Sequence, residues 1–254
     1  MTALPPFFVH HAFDEIGSTN DEAKRRATAG EPAGTFITAA RQVQGRGRQG
    51  RTWISPTGNA YMSLVLRPEK LAGEAAQVSF VAALAVSDVA REFLPDSAGI
   101  GLKWPNDVLV RGRKLSGILL ESAPGSGGRL AWLVLGVGIN VLRKPDTPGL
   151  GTSLLDEGAA GLDVPMVIES YVRNLERWLR LWETEGFAPV RDAWLARALG
   201  LGETIEARLA ATTLSGRFSG LDESGALLLD MPTGERRIIP GGEIFFPPAQ
   251  SVGT

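Results

Sequence analysis

An α+β fold, a mixed sheet packed on helices with a small β-barrel at its C-terminal end, is predicted by three features of the 254-residue chain. Strand-like runs and helical runs mix in irregular order up to residue 199, which favours a sheet covered by helices over a repeating βα pattern. Two long segments, 72–94 and 164–186, carry apolar residues at helical spacing. From residue 200 onward the texture changes to five short strand-like pieces separated by turn residues. The expected units are therefore 1–199 and 200–254.

The elements follow in order. Residues 7–14 (FFVHHAFD) read as a first strand, in which His10 and His11 face opposite sides and cannot chelate one metal together. GSTNDEAKRRATAG reads as a helix with Thr19 as N-cap, Glu22 as its capping-box partner and Gly30 as the stop. GTFITAAR (34–41) is rich in β-formers, and NAYMSLVLRP (59–68) alternates like a strand. The helix over 72–94 is apolar nearly all round and is expected to be mostly buried. After Pro95, GLKWPNDVLV and KLSGILLES read as two strands joined by the turn Arg111-Gly112-Arg113. RLAWLVLGVGINV (129–141) suits a central strand. The helix over 164–186 places Val167, Tyr171, Leu175, Trp178 and Trp182 on one face. ETIEARL, LSGRFSGLD, GALLLDM, ERRIIP and GEIFFP are the five barrel strands.

Composition narrows the chemistry. No apolar run approaches the roughly eighteen residues of a membrane span, so none is expected. The first residues lack the pattern of a secretory signal. There are no cysteines and only two histidines, which leaves almost no material for thiol nucleophiles, a Ser-His-Asp triad or a protein-built metal site. A cytoplasmic protein fits. The net charge of −2 argues against a general polyanion binder. Positive charge is instead concentrated: Arg41, Arg46, Arg48 and Arg51 fall within eleven residues that hold no acid.

Three segments carry the candidate chemistry. Gly45-Arg46-Gly47-Arg48-Gln49-Gly50-Arg51-Thr52-Trp53 opens with a G-x-G-x-x-G spacing, but Pro56 and Gly58 fall where a dinucleotide-binding helix would start. No Walker A sequence or kinase motif occurs. The loop still suits an anion: glycines let the backbone N–H groups approach it, and guanidinium forks match carboxylate or phosphate. Trp53 offers a face to a flat ring. A solvated, mobile loop is the competing reading. Lys103-Trp104-Pro105-Asn106-Asp107 is followed by Lys114, and these are two of only five lysines. A lysine in an apolar strand needs a partner or a cleft, unless it merely snorkels from an edge. Gly136-Val137-Gly138-Ile139-Asn140 ends an apolar strand with two glycines and an amide, placing Asn140 beside a close-lying ligand or in a plain turn.

Together with STN (18–20), Gln42, KLSGI (114–118) and GGEI (241–244), these segments resemble, in order, the biotin–protein ligases of the type without an N-terminal DNA-binding domain. The resemblance covers residues 10 to 246. It implies the catalytic fold shared with class II aminoacyl-tRNA synthetases and a C-terminal SH3-like barrel. It also implies a two-step reaction. Biotin and Mg-ATP give biotinyl-5′-AMP, and the biotinyl group then passes to a lysine of biotin carboxyl carrier protein. By resemblance, Ser18, Thr19, Asn20 and Gln42 bind the ureido end. Gly45, Arg46, Gly47, Arg48, Lys114 and Gly117 complete the biotin site toward its carboxylate. Arg46, Arg51, Trp53, Asn106, Lys114 and Asn140 serve the adenylate, with Trp53 stacking on adenine. Arg48, Lys103, Asp107 and Lys114 are the catalytic set, Asp107 helping the incoming lysine. Magnesium is expected to arrive with the nucleotide, and no protein metal ligands are expected.

Elementary chemistry agrees. Adenylation joins two anions, so fixed positive charge must offset their repulsion, and no covalent enzyme intermediate is needed. A loop closing over the adenylate would exclude water, so residues 42–56 are expected to order on binding. Two departures stand out. About ten residues precede the first strand, so no helix-turn-helix and no operator binding are expected, and Gln49 stands where a basic residue is common in the family. A homodimer is left open. The competing functions are lipoate ligation on the same scaffold and, in another class, nucleic-acid binding through the glycine–arginine loop.

Overall fold

The computed structural model describes residues 4–145 and 151–246. Seven strands form the main sheet: β1 (Val9–Ile16), β2 (Thr35–Gln42), β3 (Ala60–Leu66), β4 (Ile100–Lys103), β5 (Asp107–Val110), β6 (Arg113–Pro124) and β7 (Leu130–Ile139). Their spatial order is β1-β2-β3-β7-β6-β5-β4. Only β1 and β2 run parallel, joined through α1 (Thr19–Thr28); every other neighbouring pair is antiparallel. The sheet is thus mixed, as the irregular sequence order predicts.

Strand alternation decides which face each residue serves. On one face Phe36, Met62, Leu64, Leu133, Leu135 and Val137 meet α3 (Val78–Phe93) and α4 (Val164–Glu185) in the large core. On the other face Ile37, Val65 and Val134 meet Ala23 and Ala27 of α1 in a much smaller cluster. That second face carries one short helix over β2, β3 and β7. The rest of it is left for a cavity.

The helices obey their sequence signals with specific differences. Ser18, not Thr19, is the N-cap of α1, with extended backbone and no side-chain capping bond. No capping box forms, because Glu22 is engaged by Arg25 and Arg26 at 2.7–2.8 Å. Gly30 does end the helix, taking φ 91 while the N–H groups of Gly30 and Glu31 close back on Ala27 and Arg26. The 72–94 segment is interrupted, with α2 (Ala72–Ala75) preceding α3. By length and composition Ala72–Phe93 is apolar enough to cross a membrane, but two-thirds of that window (67%) is buried inside this fold. Asp163 caps α4 by accepting from Met166 N at 2.8 Å. A further helix, α5 (Phe187–Leu195), follows where no element is predicted.

GLKWPNDVLV is not one strand. It folds as a hairpin, Lys103 pairing with Asp107 across a turn that contains Pro105. The reversal brings the lysine and the carboxylate to the same end of the sheet. The C-terminal unit is a five-stranded antiparallel sheet of the SH3-like kind: β8 (Thr204–Arg208), β9 (Thr213–Leu221), β10 (Leu227–Asp230), β11 (Arg236–Ile239) and β12 (Glu243–Phe245), ordered β11-β10-β9-β8-β12. Trp104 Nε1 donates to Gly225 O (3.1 Å), and Gln77 Nε2 to Glu223 O (3.0 Å), tying this sheet to the larger unit.

Candidate functional site: a two-ended cavity on the open sheet face

The open face holds a cavity of 490 Å³, within the range of small-molecule sites. All of the sequence-predicted residues line it except Gly45. Gly45 sits beneath the loop instead, where any Cβ would strike the Trp53 carbonyl and the Ser55 hydroxyl. His10 and His11 lie elsewhere, bonded to Thr38 and to Arg26.

Over β2 and β3 the cavity wall is a neutral hydrogen-bond network. Gln42 Oε1 accepts from Thr19 N (2.8 Å) and Thr19 Oγ1 (3.0 Å), and Gln42 Nε2 donates to Ser55 Oγ (3.0 Å). Ser55 Oγ donates in turn to Trp53 O. Ser63, fully buried, lies 2.6 Å from Asn20 Oδ1 and 2.8 Å from Thr19 Oγ1. The Gln42 amide is therefore fixed in orientation by partners on two different segments, Thr19 of α1 and Ser55 of the following loop. Asn20 Nδ2 donates to Glu121 Oε2 (3.0 Å), and Glu121 also holds Lys24 (2.8 Å) and Arg46 (3.1 Å). Arg46 bonds Asp21 as well (2.7 Å). Its guanidinium pins the glycine–arginine loop to α1 and β6.

The floor is bare backbone. Gly117 and Gly138 pair across β6 and β7, and the Trp53 indole lies on them: a Cβ at Gly138 would come 2.7 Å from Nε1, and one at Gly117 3.1 Å from Cζ3. Glycine is needed here for close approach, not for an unusual φ. Gly136 is bare for Asn20 in the same way. Trp53 Nε1 is buried and finds no hydrogen-bond partner among the described residues. An unsatisfied buried donor in a cavity is a ready place for a ligand acceptor.

Toward β5 and β4 the wall becomes charged. Lys114 Nζ is 2.7 Å from Asp107 Oδ1 and 5.4 Å from the Trp53 ring centre. Arg48 donates to Asn106 Oδ1 (2.8 Å) and Gly242 O (3.2 Å), while Asn106 Nδ2 donates to Ile118 O. Arg51 pairs with Glu243 of β12. Lys103 Nζ lies 4.9 Å from the Phe245 ring. Burial lowers the Arg48 pKa, outweighing the attraction of Asp107 and Glu243. Burial lowers that of Lys103 too, against the same two acids, with Lys114 adding repulsion. Burial alone would raise the Glu243 carboxyl; the Arg51 hydrogen bond and the surrounding cations reverse this and hold it below its ordinary value. Both cations are thus under-compensated, the condition for welcoming an anion.

Asn140 borders the cavity and is 2% exposed, its Nδ2 donating to Thr152 O (2.9 Å) and Lys114 O (3.5 Å). Sequence reasoning missed Ser63, Ser55, Glu121, Glu243 and Phe245. The signal that was available was Arg51, a cation with no acid near it in sequence.

The fold and the cavity define a two-unit α+β protein whose SH3-like sheet contributes a strand to a site built on the larger sheet. The comparisons carry this further. The model of the biotin/lipoate A/B protein ligase family matches residues 4–196, and that of the biotin protein ligase C-terminal domain matches 200–246. The chain is 43% identical over 235 residues to the biotin–[acetyl-CoA-carboxylase] ligase of Paracoccus denitrificans, covering 90% of this chain and 97% of that one. It is 36% identical to the bifunctional ligase/repressor BirA of Bacillus subtilis, over 89% of this chain and 70% of that one. Biotin protein ligase from Aquifex aeolicus, solved in complex with biotin and ATP, superposes with a TM-score of 0.78 at 29% identity, covering 93% and 97%. The chain belongs to the biotin/lipoate A/B protein ligase family.

Proposed function

We propose that the chain is a biotin–protein ligase that makes biotinyl-5′-AMP from biotin and Mg-ATP and transfers the biotinyl group to a lysine of a biotin carboxyl carrier domain, in the cytoplasm. One observation supports it best: a single cavity has a neutral, pre-oriented amide end and, across a glycine floor, a charged end. A ureido ring is neutral and hydrogen-bonding; a carboxylate, a phosphate and a pyrophosphate leaving group are anionic. The similarity to ligases described with biotin, ATP and acetyl-CoA carboxylase supports the choice of acid and acceptor.

In this reading Thr19, Asn20, Gln42 and Ser18 receive the ring. The valeryl chain runs over Gly117 and Gly138. Arg48 holds the carboxylate against the α-phosphorus beside the bare backbone of Gly47, where the carboxylate oxygen forms the new P–O bond as the bond to pyrophosphate breaks. Lys114 and Arg51 offset the charge of the pentacoordinate phosphorus. Trp53 leaves its resting place on the glycines and stacks on adenine. In the second step the acceptor amine attacks the acyl carbon and AMP departs; Asp107, 2.7 Å from Lys114, takes the proton. Residues 1–199 and 200–254 act as two units, and β12 of the second completes the site of the first.

The test is pyrophosphate release by the purified protein with Mg-ATP and either biotin or lipoate. Release with biotin and not with lipoate is expected; turnover with lipoate alone would replace biotin as the substrate.

A further inference from the structure

Beside the cavity, outside the residues given roles above, lies a buried carboxylate. The Glu157 side chain is 0% exposed. Its Oε1 accepts from Arg113 Nη2 (2.7 Å) and from Thr152 Oγ1 (2.6 Å). Its Oε2 lies 3.5 Å from Arg111 Nη1 and accepts no hydrogen bond among the described residues. A buried charge is costly unless paired and bonded, so surface covering alone is a poor reason for a glutamate here.

Its partners show what it does. Arg113 immediately precedes Lys114 on β6. Thr152 belongs to a segment laid alongside the same strand: Gly151 bridges to Lys114, Thr152 N donates to Lys114 O (2.9 Å), and Leu154 N and Leu155 N donate to Asn140 O and Val141 O. Asn140 Nδ2 closes the ring by donating to Thr152 O (2.9 Å). Glu157 also turns back on this segment through its own N–H to Ser153 O (3.1 Å). One carboxylate thus joins the strand that carries Lys114 to the segment that clamps the Lys114 carbonyl. The β5–β6 register shifts beside this point, between Val108 and Leu109, so sheet pairing by itself does not fix where Lys114 points.

We propose that Glu157 is a positioning residue for adenylation: by holding Arg113 and Thr152 on either side of Lys114, it fixes the direction of the Lys114 ammonium toward Asp107 and the anionic end of the cavity. The proposal rests on the ligase reading for its chemical consequence, but its structural claim stands apart. Glu157 touches no reacting atom and acts only through Lys114.

The experiment has two arms on the intact chain. In the first, amine-labelling rates of Lys114 and Lys103 are compared by mass spectrometry in the wild type and in Glu157→Gln, independently of activity. Lys114 labelling should change by about 3-fold or more as its pairing with Asp107 loosens, and Lys103 labelling should not. An unchanged Lys114 rate overturns the proposal. In the second, pyrophosphate release is measured per titrated active site. Glu157→Gln should slow it about 10-fold or more, and the same change placed on Lys114→Ala should cost less than about 2-fold more. A full additional loss in the Lys114→Ala background, or a lower melting temperature with an unchanged rate per site, overturns it. Thr152→Val cuts the same link without touching the buried charge. It should give the same Lys114-dependent loss at smaller size, and no loss would count against the proposal even if Glu157→Gln did not fold. A wild type that releases no pyrophosphate with biotin removes the ligase reading, while the labelling arm still decides the Glu157 claim.

Discussion

The two ends of one cavity differ in how they are held. The end over β2 and β3 presents amides and hydroxyls, nearly all buried and locked by short bonds to protein neighbours, with the one cation beside them, Arg46, paired to Asp21 and Glu121. The end over β4 and β5 is built from half-buried Arg48, Lys103 and Lys114 and the exposed Arg51, with partners on distant elements, Glu243 of the SH3-like sheet among them. Pre-oriented dipoles suit a ligand part that never changes charge. Under-compensated cations suit the part where charge shifts during reaction. The two ends are set apart by about 14 Å or more of sheet, since three strand spacings of roughly 4.8 Å separate β3 from β5.

Substitutions at the two ends should therefore fail differently. The largest effect is expected at Arg48. Arg48→Ala removes the guanidinium held by Asn106 and Gly242 O and should lower adenylation by about 100- to 1000-fold with little change in folding stability. Steady-state pyrophosphate release and a thermal melt check both halves. At the neutral end, Ser63→Ala leaves Asn20 Oδ1 without its 2.6 Å partner in a buried site. It should cost about 1–3 kcal/mol of unfolding free energy and weaken biotin binding by a similar factor, measurable by denaturant titration and calorimetry; loss of catalytic rate without loss of affinity would blur the distinction.

The smallest effect concerns acid stability at α1, whose N-terminus carries the neutral end. The guanidinium of Arg25 is the main cause holding the Glu22 carboxyl at about 2, below its ordinary 4.5, with Arg26 assisting against burial. A lowered folded-state value means that the stabilisation is full above pH 4.5 and fades as pH falls toward 2. Glu22→Gln should flatten that part of the stability–pH curve and leave the rate of adenylation at pH 7 unchanged.

How much of this is visible in the sequence depends on distance along the chain. Runs of β-formers give β3 and β7 as strands, and Gly30 gives the end of α1. The glycine–arginine loop, KWPND and GVGIN are each recognisable as short local clusters. The hairpin within GLKWPNDVLV is hidden because β-formers flank the turn on both sides, so the segment reads as one strand. α5 is hidden by Pro189 near its start, which reads as a breaker although the first turn tolerates it. Pairings such as Asn20 with Glu121 or Arg51 with Glu243, 101 and 192 residues apart, have no local signature at all. The Arg46 ion pairs with Asp21 and Glu121 are equally non-local, and no neighbour in sequence announces them.

The most direct test of the two-ended account compares biotin with biotinamide, the same ring without the negative charge, by calorimetric titration of the wild type and Arg48→Ala. The account predicts that Arg48→Ala weakens biotin by about 10-fold or more and leaves biotinamide within about 2-fold of the wild type. Equal losses for both ligands would contradict it, because the charged end would then be sensing the ring.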